Sequence, residues 1–148
     1  NGKWYLYTNG TFKEDKFKDL DLRSSIGLGA GYQYYESDPL NLLLEAGLNY
    51  VNEDFIAAND DDYMAFRWGL KYDQKFFKDW IKAFHEHEGL QGIEDKEDLI
   101  ISSKTGLRFF FIKNVEATGQ LNADWENSPA PGTKRTDLTY LLTFGYHW

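Results

Sequence analysis

The chain has 148 residues, which suits one domain, and 18% of them are aromatic, a share too high for a disordered chain. The formal net charge of −8 argues against nucleic acid and against an anionic membrane surface as partners. The absence of cysteine excludes disulfides and thiolate metal sites, and no apolar run approaches the roughly 18 residues of a membrane helix. A mean hydropathy of −0.60 looks soluble, but an alternating strand hides its apolar face from any averaged scale.

Period-two alternation of apolar and polar residues predicts strands along the whole chain. In the first half we predict four of them, at Lys3–Phe12, Leu20–Glu36, Leu40–Tyr50 and Tyr63–Asp73. The second and third are joined by a tight Ser-Asp-Pro turn, and a long acidic loop of residues 52–62 precedes the fourth. These connections predict antiparallel neighbours.

The second half predicts four more strands, at residues 80–89, 99–111, 115–125 and 136–148. The fifth strand, residues 80–89, is irregular, since neither of its faces is cleanly apolar. A bulge, a contact with a partner protein and a seam to further strands are all open interpretations of it. A second acidic loop, residues 90–98, separates it from the sixth strand.

The connections alternate between long and short, as in up-and-down barrels of outer membranes. Alternation alone also fits a soluble lipocalin-like barrel, whose apolar face points inward and binds a ligand. Two details favour the membrane form. Gly27, Gly29 and Gly31 share the polar face of the second strand, as a crowded lumen requires, and aromatic residues gather toward the ends of the apolar face. We therefore predict an all-β, antiparallel, up-and-down transmembrane β-barrel of about eight strands, with residues 1–148 as a single domain.

The two faces of these strands then have different surroundings. On the apolar face we expect Leu28, Leu48, Leu107 and Leu142 to contact lipid. The polar face should form a network of paired charges in the lumen, with the glycines leaving room for long Arg and Lys side chains, because unpaired charges in a narrow barrel are costly. Its predicted members are Asp21, Arg23, Glu45, Arg67, Lys71, Lys104, Arg108, Glu116, Asp124 and Asp137. Such a lumen would be closed; a small transport pore is the alternative.

Two stretches resemble the YdiY-type family of salt-induced outer-membrane proteins. They are DLDLRSSIGLGAGYQYYESDPLNLLLEAGLNYVNED (residues 19–54) and KRTDLTYLLTFGYHW (residues 134–148). The resemblance implies an integral protein of the bacterial outer membrane, in contact with its lipid and lipopolysaccharide, with a structural or interaction role related to salt stress. It implies further strands before Lys3. It also implies that the barrel-assembly machinery recognises the last strand, where Phe144, Tyr146 and Trp148 form the insertion signal.

Sites for chemistry are less evident. His85 and His87 lie two residues apart on one strand face, which suits a metal, but no third ligand is identifiable. Ser102 or Ser103 with His85 and Glu86 lacks a nucleophile motif. The acidic segments 60–62 and 94–98 carry oxygen ligands for Ca²⁺ or Mg²⁺ without the twelve-residue calcium-loop pattern. We expect neither an enzyme nor a bound cofactor.

Overall fold

The structure is a computed structural model that describes residues 3–15, 20–55, 59–94, 97–112, 114–129 and 134–146. Trp148, the last residue of the expected insertion signal, lies outside this part. All of the regular structure in the described residues is β-strand. They contain no apolar helix long enough to cross a membrane.

Eight strands form one antiparallel sheet in which each strand pairs with its neighbours in the chain. The strands are β1 (Trp4–Asp15), β2 (Leu20–Glu36), β3 (Leu40–Phe55), β4 (Asp61–Phe76), β5 (Ile81–Gly92), β6 (Leu99–Ile112), β7 (Val115–Glu126) and β8 (Thr136–Tyr146). The prediction of an all-β chain of eight up-and-down strands is confirmed.

The main differences from the predicted boundaries lie in the polar segments. The acidic loop after the third strand is shorter than predicted, because Asn52 pairs with Asp62 and Glu53 with Asp61 in a continued ladder. β5 is regular: it pairs without interruption with β4 on one side and β6 on the other. Its irregular pattern is therefore neither a bulge nor a seam, and the contact with a partner protein stays a prediction.

The connections make the two ends of the sheet unlike each other. At one end, called the loop end here, the strands are joined through residues 16–19, 56–60, 93–98 and 127–135. At the other, the turn end, residues 37–39, 77–80 and 113–114 make links of three, four and two residues, none longer than the shortest link at the loop end. In one of these turns Phe77, Lys78 and Asp79 have φ values of 53°, 56° and 69°, a left-handed conformation that residues other than glycine adopt at a cost.

The sheet curls until distant strands meet across its concave side. Arg23 on β2 reaches Glu126 on β7, with 2.7 Å between Nη2 and Oε1. Lys13 on β1 comes within 4.0 Å of Asp124 on β7. Among the described residues no ladder joins β1 to β8, so the sheet is open along that line.

The concave side is polar over most of its area and the convex side is apolar. Buried polar residues on the concave side include Ser25, Asn49 and Arg67. A small apolar cluster of Val51, Ala65 and Leu90 fills the loop end of the interior, with Tyr63 and Ile100 packed against it. The buried apolar core of the described residues therefore lies near the loop end of the interior.

Candidate functional site: a charged interior

Arg67 is the centre of the larger interior cluster. Its neighbours across the ladder are Gly47 on β3 and Leu90 on β5. Because Gly47 has no side chain, the inner face has space here for the long side chain of Arg67. Nη1 donates to Glu45 at 3.1 Å, while Nε and Nη2 donate to Glu88 at 2.9 and 2.5 Å. Nη1 also donates to the hydroxyl of Tyr7 at 2.8 Å. One guanidinium thus holds side chains from β1, β3 and β5 together.

Glu45 is bound from a second side. The Tyr5 hydroxyl donates to its other carboxylate oxygen at 2.7 Å. This carboxylate therefore has a partner at each oxygen, which is how a poorly hydrated charge is stabilised in a protein interior.

Arg23 forms a second cluster nearer the loop end. Its Nε lies 2.5 Å from Glu53 on β3, and its Nη2 lies 2.7 Å from Glu126 on β7. Tyr63 donates to the same Glu53 oxygen at 3.1 Å. The Arg23 and Glu53 side chains are both almost fully buried, so this group closes the interior beside the apolar cluster, with Glu53 two residues nearer the loop end than Val51.

Glycines on the inner face of β2 make this packing possible. A Cβ added at Gly29 would overlap the ring of Tyr7, and one at Gly31 would overlap the ring of Tyr5. At Gly27 it would overlap the Asn49 side chain. A crowded lumen is what the sequence predicted. Beside these three glycines two tyrosines and an asparagine fill the space rather than Arg and Lys, whereas the Arg67 side chain does lie beside Gly69.

The interior beside β5–β8 is looser. Lys82 binds Asp73 at 2.8 Å, and Arg108 lies 3.2 Å from the Thr118 hydroxyl and 3.8 Å from Glu116. Cavities of about 280 and 400 Å³ lie between β4 and β5–β7, and both are lined in part by Lys71, Glu86 and Lys104. The smaller one also borders Glu45 and Arg67 of the first cluster.

The expected lumen residues are thus only partly brought together. Arg23, Glu45 and Arg67 enter the two clusters, whereas Lys71 and Lys104 face the cavities without an ion pair in the described part of the chain. Asp124 accepts a hydrogen bond from Ser102 at 2.5 Å, and Asp137 lies beside Asp124 in the ladder. Asp21, another member of the expected set, joins neither of the two clusters, because it is exposed at the loop end.

Several partners in these clusters did not stand out in the sequence. Glu53 was placed in a loop, Glu88 in an irregular strand, and Glu126 just beyond the end of one. Two of them nevertheless continue the alternation of a predicted lumen residue: Glu53 follows the phase of Glu45, and Glu126 that of Asp124. Extending the alternation past the apparent strand ends would have found these two, whereas no predicted lumen residue pointed to Glu88.

The convex face carries the residues expected to meet lipid. Leu28 and Leu142 are 68% and 70% exposed, and Leu48 and Leu107 are 46% and 45% exposed. Of the expected insertion signal, Phe144 and Tyr146 are exposed on the same face. An apolar surface therefore covers most of the outside of the sheet.

One polar patch interrupts this surface, on β5 and β6. His85 Nδ1 lies 2.7 Å from the Thr105 hydroxyl, and His87 Nδ1 lies 3.4 Å from His85 Nε2. In the described residues no group of three or more His, Cys, Asp or Glu side chains is placed to hold a metal. Ser102 bonds Asp124 on the concave face while His85 is on the convex one, so the Ser102–His85 pairing considered from sequence does not form.

At the turn end, outside the apolar band, Lys75 Nζ lies 2.8 Å from Asp38 and 4.0 Å from Asp79. The hydrogen bond to Asp38 raises the pKa of Lys75 above its ordinary value. At the loop end, Asp62 accepts a hydrogen bond from Tyr50 at 2.9 Å. These contacts tie strand ends together and form no enclosed site.

Comparison with known proteins gives a family and no activity. The family model described as "Protein of unknown function, DUF481" matches residues 1–148. No curated protein matches the sequence.

Proposed function

Since the chain belongs to that family, whose description states no activity, we propose from its geometry that it is a β-barrel of the bacterial outer membrane. In this proposal its interior is closed by side chains and its role is structural or interactive. The observation that carries the proposal is the placement of polar and apolar side chains, which is the reverse of that in a soluble protein. Arg23 and Arg67 are buried inside, whereas Leu28 and Leu142 are exposed outside.

This distribution favours a membrane barrel over a soluble ligand-binding one. A lipocalin-like barrel would place its apolar row inside, around the ligand. Here exposed leucines and aromatics run along the outside of successive strands, a far larger apolar surface than soluble monomers carry. Contact with hydrocarbon would make this surface favourable.

The closed interior is supported by two successive obstructions. The Arg67 cluster crosses the middle of the concave side, and the Arg23 cluster lies nearer the loop end with the apolar Val51 group beside it. A solute would have to break several charge-assisted hydrogen bonds to pass, at a cost of several kcal/mol.

The interactive part of the role is supported by the polar patch on β5. His85 and His87 lie near the middle of their strand and face outward, where hydrocarbon offers no hydrogen-bond partner. Polar residues in such a position are usually covered by protein. We therefore place a protein contact on the outer face of residues 81–92.

A small pore is the second candidate, and the cavities of about 280 and 400 Å³ are the observation that favours it. Both are lined by charged residues, and the smaller one borders the Arg67 cluster. Recordings from the purified protein in a planar bilayer distinguish the two. We expect no steady conductance; a reproducible open channel would favour the pore.

Location is tested by separating membranes from soluble protein and by gel mobility before and after heating. We expect the chain in the outer-membrane fraction, with a folded form that migrates differently from the heated form. A freely soluble protein that needs no detergent would contradict both the barrel and the pore. Expression measured before and after a rise in external salt tests the stress-related role.

Insertion by the assembly machinery makes a separate prediction. Deleting residues 146–148 should lower the amount of inserted protein in cells, while refolding into detergent in vitro still occurs. Unchanged insertion in cells would show that the final strand is not the signal.

A further inference from the structure

The interior cavity of about 400 Å³ is lined by more positive than negative charge, although the chain as a whole has a net charge of −8. Its charged residues in the described part of the chain are the cations Lys71, Lys82, Lys104 and Arg108 and the carboxylates Asp73 and Glu86. A surplus of cations around an enclosed space attracts anions. We propose that this cavity binds a small molecule that carries a phosphate group.

Two of the lysines flank one acid. Lys71 on β4 and Lys104 on β6 are each directly opposite Glu86 on β5. Neither lysine forms an ion pair among the described residues, and both are exposed to the interior space. Their strands lie about 10 Å apart, so two long side chains can reach an anion held between them. Because one carboxylate cannot neutralise two ammonium groups, a positive charge remains for a ligand.

Arg108 adds a third cation whose pairing is loose. Its Nε lies 3.2 Å from the Thr118 hydroxyl and 3.8 Å from Glu116, and its side chain is 40% exposed. Lysine binds phosphate as a point charge, and arginine binds it through its planar fork. Cations that approach from two strands suit a dianion with oxygens on several sides better than a single carboxylate. The arrangement therefore favours phosphate.

The size and position of the cavity indicate what else the ligand carries and how it enters. About 400 Å³ is within the usual range of small-molecule pockets and is more than a bare phosphate ion fills. Phe84 in the lining offers an apolar contact to an organic part. The cavity lies on the turn-end side of the Arg67 cluster, which blocks the interior toward the loop end. The ligand therefore enters from the turn end, and binding needs no continuous pore.

Thermal unfolding of the full chain in a neutral detergent tests the site, with inorganic phosphate and glucose 6-phosphate as probes. Potassium chloride at the same ionic strength is the reference, because any salt screens charges. A ligand that binds the folded state stabilises it by mass action, so both probes should raise the unfolding temperature more than chloride does. Tighter binding of the sugar phosphate supports an organic ligand, and equal binding supports the free ion. Chloride acting as strongly as both probes would overturn the proposal.

Substitutions in the lining predict changes of opposite sign, measured as Kd by isothermal titration calorimetry with phosphate. Lys71→Gln and Lys104→Gln should each weaken binding about tenfold, as expected for the loss of one charged hydrogen bond. Glu86→Gln should strengthen binding several-fold, because it removes the carboxylate that competes for the same lysines. Lys134→Gln alters the net charge as much as the other lysine variants do, but it lies in the link of residues 127–135 at the loop end. It should leave Kd unchanged.

The outcomes decide the proposal even if one variant folds poorly. Loss of folding cannot tighten binding, so stronger binding by Glu86→Gln supports the site by itself. Weaker binding by Glu86→Gln, or unchanged Kd in both Lys71→Gln and Lys104→Gln, would overturn it. The measurements use folded protein in detergent and depend neither on cellular location nor on conductance. They can therefore fail while the outer-membrane proposal stands, and the reverse also holds.

Discussion

The half of the sheet formed by β1–β4 and the half formed by β5–β8 show two ways of filling a polar interior. In the first, Gly29 and Gly31 lie under tyrosine rings, and Arg67 uses its donors on carboxylates and a hydroxyl. In the second, Gly106 lies under the Phe84 ring, but charged side chains line cavities that extend to β4. Leu141 on the inner face is 41% exposed. The difference teaches that charge alone does not make a firm interior. Small residues that let large side chains interlock are also needed.

The largest loss of stability is expected when Arg67, at the centre of the first interior, is replaced. Arg67→Met leaves Glu45 and Glu88 without their cation, and removing one partner of a buried ion pair costs about 3–5 kcal/mol. Arg108→Met is the matched control in the loose half, where a partly exposed pair is worth at most about 1 kcal/mol. Urea unfolding in detergent, followed by tryptophan fluorescence, measures both. Equal losses would abolish the distinction between the halves.

Leu141 and Leu142 are adjacent on β8, so substitutions at these two positions compare the inner face of the β5–β8 half with its outer face. Leu142→Arg places a charge in the proposed lipid layer, at a cost of about 2–4 kcal/mol near its centre. Leu141→Arg points into a spacious polar interior and should cost less. Tyr146→Arg, near the turn end, should cost about 0–1 kcal/mol. Folding yields in lipid vesicles rank the three variants. A Leu141 variant as damaging as the Leu142 variant would contradict the assignment of faces.

Glycine substitutions compare the packed inner face of the first half with the outer face of the second, where Gly119 lies between Leu107 and Leu142. Gly29→Ala should destabilise by about 1–3 kcal/mol, because the new methyl group overlaps Tyr7 and the backbone of Ala46. Nothing lies within 4 Å of a Cβ added at Gly119, so Gly119→Ala should be stabilising by roughly 0.5–1 kcal/mol. Thermal unfolding of the two variants gives the comparison. A tolerated Gly29→Ala would show that the first half is not tightly packed.

The smallest expected effect is at the turn end. Because the pKa of Lys75 is raised, the stability that its pairing contributes is present at neutral pH and is lost as pH rises through that pKa. Asp38→Asn should therefore slightly lower the unfolding temperature at pH 8 and have almost no effect once Lys75 is deprotonated. Asp79→Asn is the control, since Asp79 lies 4.0 Å from Lys75 and Asp38 only 2.8 Å. An effect of Asp38→Asn that persists at strongly alkaline pH would exclude this ion pair as its cause.

The fold could be predicted from sequence because alternation is a local signal. Each strand reveals its two faces without reference to its neighbours, and β2 was predicted with the bounds that the structure shows. The strand ends were harder, since Asn52 and Glu53 are polar and look like a loop until the opposite strand supplies their partners.

Contacts across the interior could be predicted much less well. That Arg23 meets Glu126 depends on the curvature of the whole sheet, which no single stretch encodes. The tyrosines over the glycines likewise depend on register between β1 and β2. Charged residues on the inner face were identifiable as a set, but their partners were not.

The strictly sequential order of the strands has a consequence for how the chain reaches this state. Every ladder in the described sheet joins neighbours in the chain, so each hairpin can form early and with little loss of loop entropy. The contact between Arg23 and Glu126 is different, since 103 positions separate them. It should form late, after the intervening strands have assembled, and its formation should be the slow step of folding.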